Sequence, residues 1–510
     1  MADDVRDEVI ALLRAELGGG EIRLVRTHIS LVLIGATRVF KLKRAVTLPY
    51  LDFATPRLRL AACERELALN RRTAPALYRG VRRITCEADG GLRLDGAGEL
   101  VDAVVEMARF DEAGLFDAMA QAGTLTPALV AGLAERIASF HALAAPRQDS
   151  GGAAAMAAVL AVNARAFRSS RVFAPDALAR LEASFQDALA RHAPLLDARG
   201  RAGMVRLCHG DLHLRNICLF AGEPTLFDGL EFDEALATTD VLYDLAFVLM
   251  DLWHRGLPAL ANLLLNRYLD AAPEQEAGLG LLPFLMAVRA AVRAHVAAAQ
   301  AGEDADKRAE ALSYAALAEA LLAPQPALLI AVGGFSGSGK STVAAALSHA
   351  VGPAPGARIL SSDRLRKQRF GVSAQTRLPQ EAYRPEVSAE IYAGLMRRAE
   401  TILRGGHGVV ADAVFDREDE RARTAAVAQA AGVPFLGLWL DVPQDALAAR
   451  VAARRDDPSD ATPAVVAAQL ARGAGPVEWR RIAGEGGIAA VGAAALQAVA
   501  QAQAVAQAMV

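Results

Sequence analysis

"CHGDLHLRNI", residues 208–217, sets a carboxylate and a carboxamide, Asp211 and Asn216, with four residues between them. At this spacing an aspartate on a loop can take the proton of an attacking hydroxyl while the asparagine oxygen ligates a divalent cation on a polyphosphate. Twelve residues beyond Asn216, Asp228 follows the apolar "TLF" in "TLFDGLEFD", which places a second metal-binding carboxylate at the end of a short hairpin. Far upstream, "VFKLK" puts Lys41 on a strand, and Glu66 lies in the next helix, "CERELALN". Strand alternation turns Lys41 and Lys43 to the same face, so Glu66 can pair with either. Lys41, directly after the apolar pair Val39–Phe40, is the expected partner. His209 and His213 are expected to shape the loop by hydrogen bonding. Asp240 and Asp244, in "DVLYDLAFVLMDL", are expected to be caps and buried pair partners.

A second phosphate-binding pattern lies in the last third. "GFSGSGKST", residues 334–342, matches G-x-x-x-x-G-K-[ST] between an apolar strand and a helix. The backbone N–H groups of Gly334, Ser336, Gly337, Ser338, Gly339 and Thr342 can turn toward phosphates. Lys340 reaches the terminal phosphates and the Ser341 hydroxyl ligates magnesium. "SSDRLRK" (361–367) places Asp363 and Arg366 at the C-terminal end of the next strand, where ligands bind in open α/β sheets. "GVVADAVF" ends a third strand in Asp412, a carboxylate for magnesium or its water. "AARVAARRDDPSDA" (448–461) gathers Arg450, Arg454 and Arg455, which can close over a transferring phosphoryl group.

Organisation and composition agree with two such sites. Residues 1–110 read as a mostly β unit. "EIRLVRTHISLVLIG" and "RVFKLKRAV" are two strands, a helix runs over about 57–74, and "LVDAVVEMARF" is a buried strand. Residues 111–324 are helical, apart from the loop–strand–turn–strand island at 205–233. Beyond the prolines of "LAPQPALLIAVGG" the pattern alternates strand and helix at 328–333, 340–350, 357–361, 388–404, 407–412, 417–431, 434–440 and 443–454. That alternation implies a parallel sheet. An alanine-rich helix is expected from about 490. The net charge of −3 carries no basic block, which argues against nucleic acid as a partner. The four cysteines form no CxxC pair and are expected to be buried small hydrophobes. No uncharged apolar run of spanning length is expected, so a cytoplasmic location and no membrane partner are inferred. Of 55 basic residues only five are lysine: Lys41, Lys43, Lys307, Lys340 and Lys367. A lysine that survives this bias marks a place where a compact ammonium is wanted.

The first constellation, HGDLHxxN followed by a strand-borne aspartate, resembles the aminoglycoside phosphotransferase family, the small-molecule branch of the protein-kinase fold, over about 20–300. The usual glycine-rich hairpin is reduced here to Gly35. Residues 326–480 are similar to small P-loop kinases of the gluconate kinase-like and zeta-toxin-like group. The resemblance implies an α+β protein-kinase-like, two-lobed N-terminal domain (lobes 1–110 and 111–324). An α/β P-loop NTPase domain with a parallel sheet (325–510) follows it. It implies ATP and Mg2+ as cofactors and a bifunctional ATP-dependent kinase of small hydroxyl-bearing molecules. Asp211, Lys41, Lys340 and Asp363 are then the reacting or phosphate-pairing residues. Glu66, Arg450 and Arg454 serve nucleotide binding, and Asn216, Asp228, Ser341 and Asp412 hold metal. Two alternatives stand beside it: a P-loop regulatory module coupled to a ligand-sensing kinase fold, or a toxin-like kinase of a nucleotide sugar. A cationic antibiotic as acceptor would need carboxylates, which "EFDEA" (231–235) and "APEQEAG" (272–278) offer.

Overall fold

The computed structural model describes residues 2–507 except 19–20, 28, 49–50, 148–150, 232, 454–457 and 485–486. By packing, the chain forms two compact units: Met1–Met156 with Ala193–Asp251, and Ala157–His192 with Leu252–Val510. The division of the sequence by pattern, at 110 and 324, is a different one, since the helices of 252–322 pack with the P-loop segment.

In the first unit an antiparallel sheet runs, in spatial order, Arg23–Arg26, Ser30–Ile34, Arg38–Lys43, Glu99–Ala108, Tyr78–Cys86 and Leu92–Leu94. The stretch read as one strand at the start is two. Thr27 turns the chain, its Oγ1 accepting from Ser30 N at 2.9 Å while its N–H donates to Ser30 O at 2.9 Å. Strand Arg38–Lys43 divides its side chains between the two faces. Phe40 and Leu42 are buried with Val9 and Leu13 of the N-terminal helix Ala2–Glu16. Lys41 and Lys43 point to the opposite face, toward helix Pro56–Asn70. That helix starts on Thr55, whose Oγ1 accepts from Leu58 N, with Pro56 in its first turn. It ends at Asn70, ahead of the stop expected at Pro75.

In the island at 205–233 the hairpin Ile217–Phe220 and Glu223–Leu226 follows the loop as read, but a further strand not read from the sequence, Val205–Leu207, precedes the loop and pairs with Thr238–Asp240. The helix Val241–His254 follows it.

The second unit carries a five-stranded, all-parallel sheet in the order Arg358–Ser361, Val409–Asp412, Leu329–Gly333, Phe435–Asp441, Arg480–Ala483. The central strand Leu329–Gly333 is buried throughout, as a parallel strand covered on both faces must be. Two helical stretches, Pro273–Ala301 and Gly487–Val505, are apolar and long enough to cross a membrane by length and composition, which corrects the expectation that none would qualify. Alanine raises their hydropathy. The first is 72% buried within the fold. The second sets Val491, Ala495, Ala498 and Val499 in one cluster with Val343, Ala344 and Leu347.

Candidate active sites

In the first unit, four chain segments bring charged groups together. Lys41 Nζ lies 2.8 Å from Glu66 Oε1 and 2.5 Å from Asp228 Oδ1. Lys43 Nζ lies 2.5 Å from Glu66 Oε2 and 2.6 Å from Glu231 Oε1. Glu66 therefore pairs with both lysines, and Lys43 is as buried as Glu66 itself. Burial works against the Lys41 ammonium, but the carboxylates of Asp228, Glu66 and Glu231 outweigh it and hold its pKa well above the usual lysine value. Burial likewise disfavours the Glu66 carboxylate, yet the two lysines hold its pKa below the usual range. Both stay charged at neutral pH.

Asn216 joins this cluster to Asp211. Its Nδ2 donates to Asp211 Oδ2 at 2.9 Å, to Asp211 O at 3.0 Å and to Asp228 O at 3.4 Å. With the amide nitrogen so used, the carboxamide oxygen is the atom suited to a metal. Asp228 sits at φ +58, a left-handed conformation uncommon for a side-chain-bearing residue. Two contacts absent from the sequence reading hold it there. Its N–H donates to the buried Tyr78 hydroxyl at 3.1 Å, and Gly229 N donates to Asn70 Oδ1 at 2.8 Å. Neither Tyr78 nor Asn70 belongs to a local motif.

The loop itself hangs on Asp244, which is fully buried. Its oxygens accept from His209 N at 3.2 Å and Gly210 N at 2.8 Å and lie 3.1 Å from His141 Nε2. Asp251 Oδ2 accepts from Leu214 N at 3.0 Å. Gly210, at φ +80, leaves no room for a side chain, since a Cβ there would lie 2.8 Å from Leu230 Cβ. His209 is a shaping residue as read. Its Nε2 is 3.0 Å from Phe227 O, and burial lowers its pKa against the pull of Asp244 and Asp211. Asp240 is gripped by Arg199 Nε and Nη2 at 2.7 and 2.8 Å and caps Leu242 N. Removing the Asp244 carboxylate strands buried donors, so Asp244→Ala should cost on the order of 3 kcal/mol or more of stability. Denaturant titration of the full chain would measure it, and a loss below about 1 kcal/mol would contradict this account.

The acids considered for a cationic ligand are otherwise engaged. Glu231 pairs with Lys43, Asp233 caps the helix Glu234–Ala237, and Glu234 pairs with Arg147. In the second unit Glu276 is buried between Arg358 and Arg398.

The second unit places the glycine-rich loop between strand Leu329–Gly333 and helix Lys340–Leu347. Gly334, Gly337 and Gly339 all have positive φ. A Cβ on Gly337 would fall 2.6 Å from Leu447 O, and one on Gly334 would fall 2.7 Å from Ser338 Oγ. The loop backbone is thus closely backed, and only glycine fits. Lys340 Nζ donates to Phe335 O at 3.1 Å, across the loop. Ser341 Oγ donates to Asp412 Oδ2 at 2.7 Å. Burial raises the Asp412 pKa, and Lys340 and the Ser341 hydroxyl oppose that rise. Hydroxyl, carboxylate and carboxamide oxygens are the donor set that Mg2+ takes, so both clusters fit that ion. Gln469, on helix Pro463–Arg472, accepts from Ser336 N through Oε1 at 2.9 Å, another contact with no sequence signal. A cavity of about 610 Å³ opens beside Phe335, bordered by Trp439, Asp441, Leu447 and Arg481.

Asp363 is half-buried in the first turn of helix Ser362–Arg369, next to the Asp412 strand, with Ser361 in register with Asp412. Its charge is among those that raise the Asp412 pKa. Arg366 is buried and donates to Ala382 O at 2.5 Å and Ser388 Oγ at 3.3 Å, with its guanidinium 4.7 Å from the Tyr383 ring centre. Arg450 Nη2 donates to Gly484 O at 3.0 Å. Arg454 and Arg455 lie outside the described residues. Thr342 is exposed on the helix.

Glu420, on helix Glu418–Ala431, has its pKa raised to about 7 by burial, with Asp416 and Asp419 adding repulsion. A folded pKa above the unfolded one means that stability is fully present below about 4.5 and is lost as pH rises through about 7. Glu420→Gln, which mimics the neutral acid, should therefore raise the melting temperature at pH 8 by a few degrees and leave it unchanged at pH 4, to be read by calorimetry. An equal gain at both values would remove Glu420 ionisation as the cause.

Residues 36–279 match the phosphotransferase enzyme family, and residues 329–476 match an AAA domain family. An uncharacterized protein of Mycobacterium tuberculosis H37Rv is 30% identical over 463 residues, 88% of this chain and 89% of that protein, and a Mycobacterium bovis protein matches equally. Among solved structures, a gluconokinase from Sinorhizobium meliloti 1021 is 21% identical over 37% of this chain and 97% of its own, with a TM-score of 0.26. A choline/ethanolamine kinase family protein from Mesorhizobium loti is 17% identical over 63% of this chain and 95% of its own, with a TM-score of 0.38.

Proposed function

Because the chain belongs to the same two-part family as its mycobacterial relatives, a phosphotransferase-family segment followed by a P-loop kinase-type segment, we propose that it is an ATP-dependent phosphotransferase with two nucleotide sites, each acting on a hydroxyl of a small molecule. The observation that carries this is the meeting of Lys41, Glu66 and Asp228 in one ion cluster, with Asn216 bridging it to Asp211. Lys41, aligned by Glu66, pairs with the nucleotide phosphates. Asp211 accepts the proton of the acceptor hydroxyl as that oxygen bonds to the terminal phosphorus. The bond from that phosphorus to the β-phosphate oxygen breaks, and ADP leaves with the electron pair. Asn216 and Asp228 would hold magnesium, which when bound neutralises phosphate charge.

In the second site the loop N–H groups and Lys340 hold the phosphates, and Ser341 and Asp412 would hold the metal. Asp363 faces the acceptor hydroxyl, and Arg450 closes over the site; the Arg454 assigned with it lies outside the described residues. The test is ADP release in a small-metabolite extract, with mass spectrometry for products one phosphate heavier, comparing wild type with Asp211→Asn and Lys340→Ala. Loss of a different product in each variant supports two kinases. Loss of every product in one variant alone reduces the chain to one catalytic site and one binding module. No loss in either defeats the proposal.

A further inference from the structure

We propose that Asp270 is a positioning residue of the P-loop site, so that residues 258–279, within the phosphotransferase-family match, form part of the second site's framework. The inference rests on the role given to Asp363 above. Strand Arg358–Ser361 is an edge strand, with a strand neighbour on one side only. On its other side the helix Pro258–Ala271 supplies amides in place of a strand. Asn262 and Asn266 Nδ2 donate to Ala357 O at 3.0 and 3.1 Å, and Ile359 N donates to Asn266 Oδ1 at 2.7 Å.

Asp270 then grips both the strand and the helix that follows it. Its Oδ1 accepts from Arg358 Nη1 at 2.9 Å, and its Oδ2 accepts from Arg364 Nη1 at 3.0 Å and from Arg267 Nη1 at 2.8 Å. Its backbone oxygen accepts from Gln368 Nε2 at 2.8 Å. Asp363 lies between Arg358 and Arg364 in the chain, in the turn these contacts immobilise. Glu276 pairs with Arg358 and with Arg398, whose Nη1 donates to Gln368 Oε1 at 3.1 Å. Four guanidiniums share two carboxylates here. Without the Asp270 charge, Arg267, Arg358 and Arg364 would repel one another, and the helix Ser362–Arg369 would be the element with freedom to move.

The experiment compares full-length wild type, Asp270→Asn and Arg364→Gln by amide hydrogen exchange and by kinetics. The asparagine keeps the shape and the backbone acceptor. Arg364→Gln removes the same contact from a partly exposed partner and decides the matter if Asp270→Asn does not fold. Exchange over 362–369 should speed up at least roughly tenfold in both variants, with 340–347 unchanged. The Lys340-dependent product should lose kcat at least about tenfold with KM for ATP nearly constant. Unchanged exchange over 362–369, or a uniform rise across 329–483, would overturn the proposal. So would an unaltered kcat. If wild type makes no Lys340-dependent product, the kinase reading of that site fails, and the exchange result still decides whether Asp270 places the helix.

Discussion

Asp211→Asn is expected to lower kcat for the first site's product by about 10²–10⁴-fold, the range for losing a general base. The substitution is nearly isosteric. Asn216 Nδ2 now donates to Asp211 Oδ2 at 2.9 Å, and a carboxamide oxygen at 211 can accept in its place, so the loop should keep its shape. Few neighbours can take over the proton. His209 Nε2 is committed to Phe227 O, and burial lowers its basicity. His213 Nε2 lies 3.4 Å from Asp211 Oδ2 and so faces the lost group, and its ring packs edge-on to Phe247. The nucleotide side of the site, Lys41 with Glu66 and Asp228, is untouched. KM for ATP should therefore stay within roughly threefold, the pattern of a group that acts in the transition state. Steady-state kinetics on the product found in the extract would read both constants. A raised KM with kcat intact would instead make Asp211 a binding residue and would sink its role as base.

What could be read in advance depended on how local the chemistry is. Asp211, Asn216 and Asp228 lie within eighteen residues, on one loop and the hairpin that follows it, so the pattern is visible in a single local stretch. The same holds for 334–342, where positive φ at three glycines and a lysine at fixed spacing are the site itself. The eight strand and helix ranges beyond 328 were legible because buried parallel strands are apolar runs that stand out from the segments between them. Lysine scarcity was a second signal. Lys43, which the sequence reading placed near the site with Lys41 preferred, shares Glu66 with it, and Lys367 is buried on Asp460 and Thr376 O.

What escaped was assembled over long separations. The tie from Tyr78 to Asp228 spans 150 residues, that from Ser336 to Gln469 spans 133, and that from Asp270 to Arg358 spans 88. A tyrosine, a glutamine and an aspartate at those positions have no local pattern to mark them. The break at Thr27 was hidden for a different reason. A hydroxyl that folds back on Ser30 N makes a turn without glycine or proline, and the β-branched residues on either side masked it.

Lys340→Ala should abolish the second site's product, with a loss of at least about 10²–10³-fold in kcat/KM, and leave the Asp211-dependent product unchanged. The size follows from the geometry. Lys340 is the cation of the loop, held with its Nζ 3.1 Å from Phe335 O, where it can swing to a terminal phosphate without moving the backbone. Alanine leaves the N–H groups but no mobile charge. Arginine should not rescue it. The loop is backed by Leu447 O and Ser338 Oγ at distances that refuse even a methyl group on Gly337 or Gly334. A planar guanidinium also cannot act as the compact point charge an ammonium provides. Lys340→Arg should retain less than about a tenth of wild-type kcat/KM, which separates a positioned ammonium from a generic positive charge. The two products also test independence, because effects at sites with no shared partners add. If Lys340→Ala lowers both products together, nucleotide at the P-loop governs the first site, and the regulatory reading of the second unit replaces that of a second kinase.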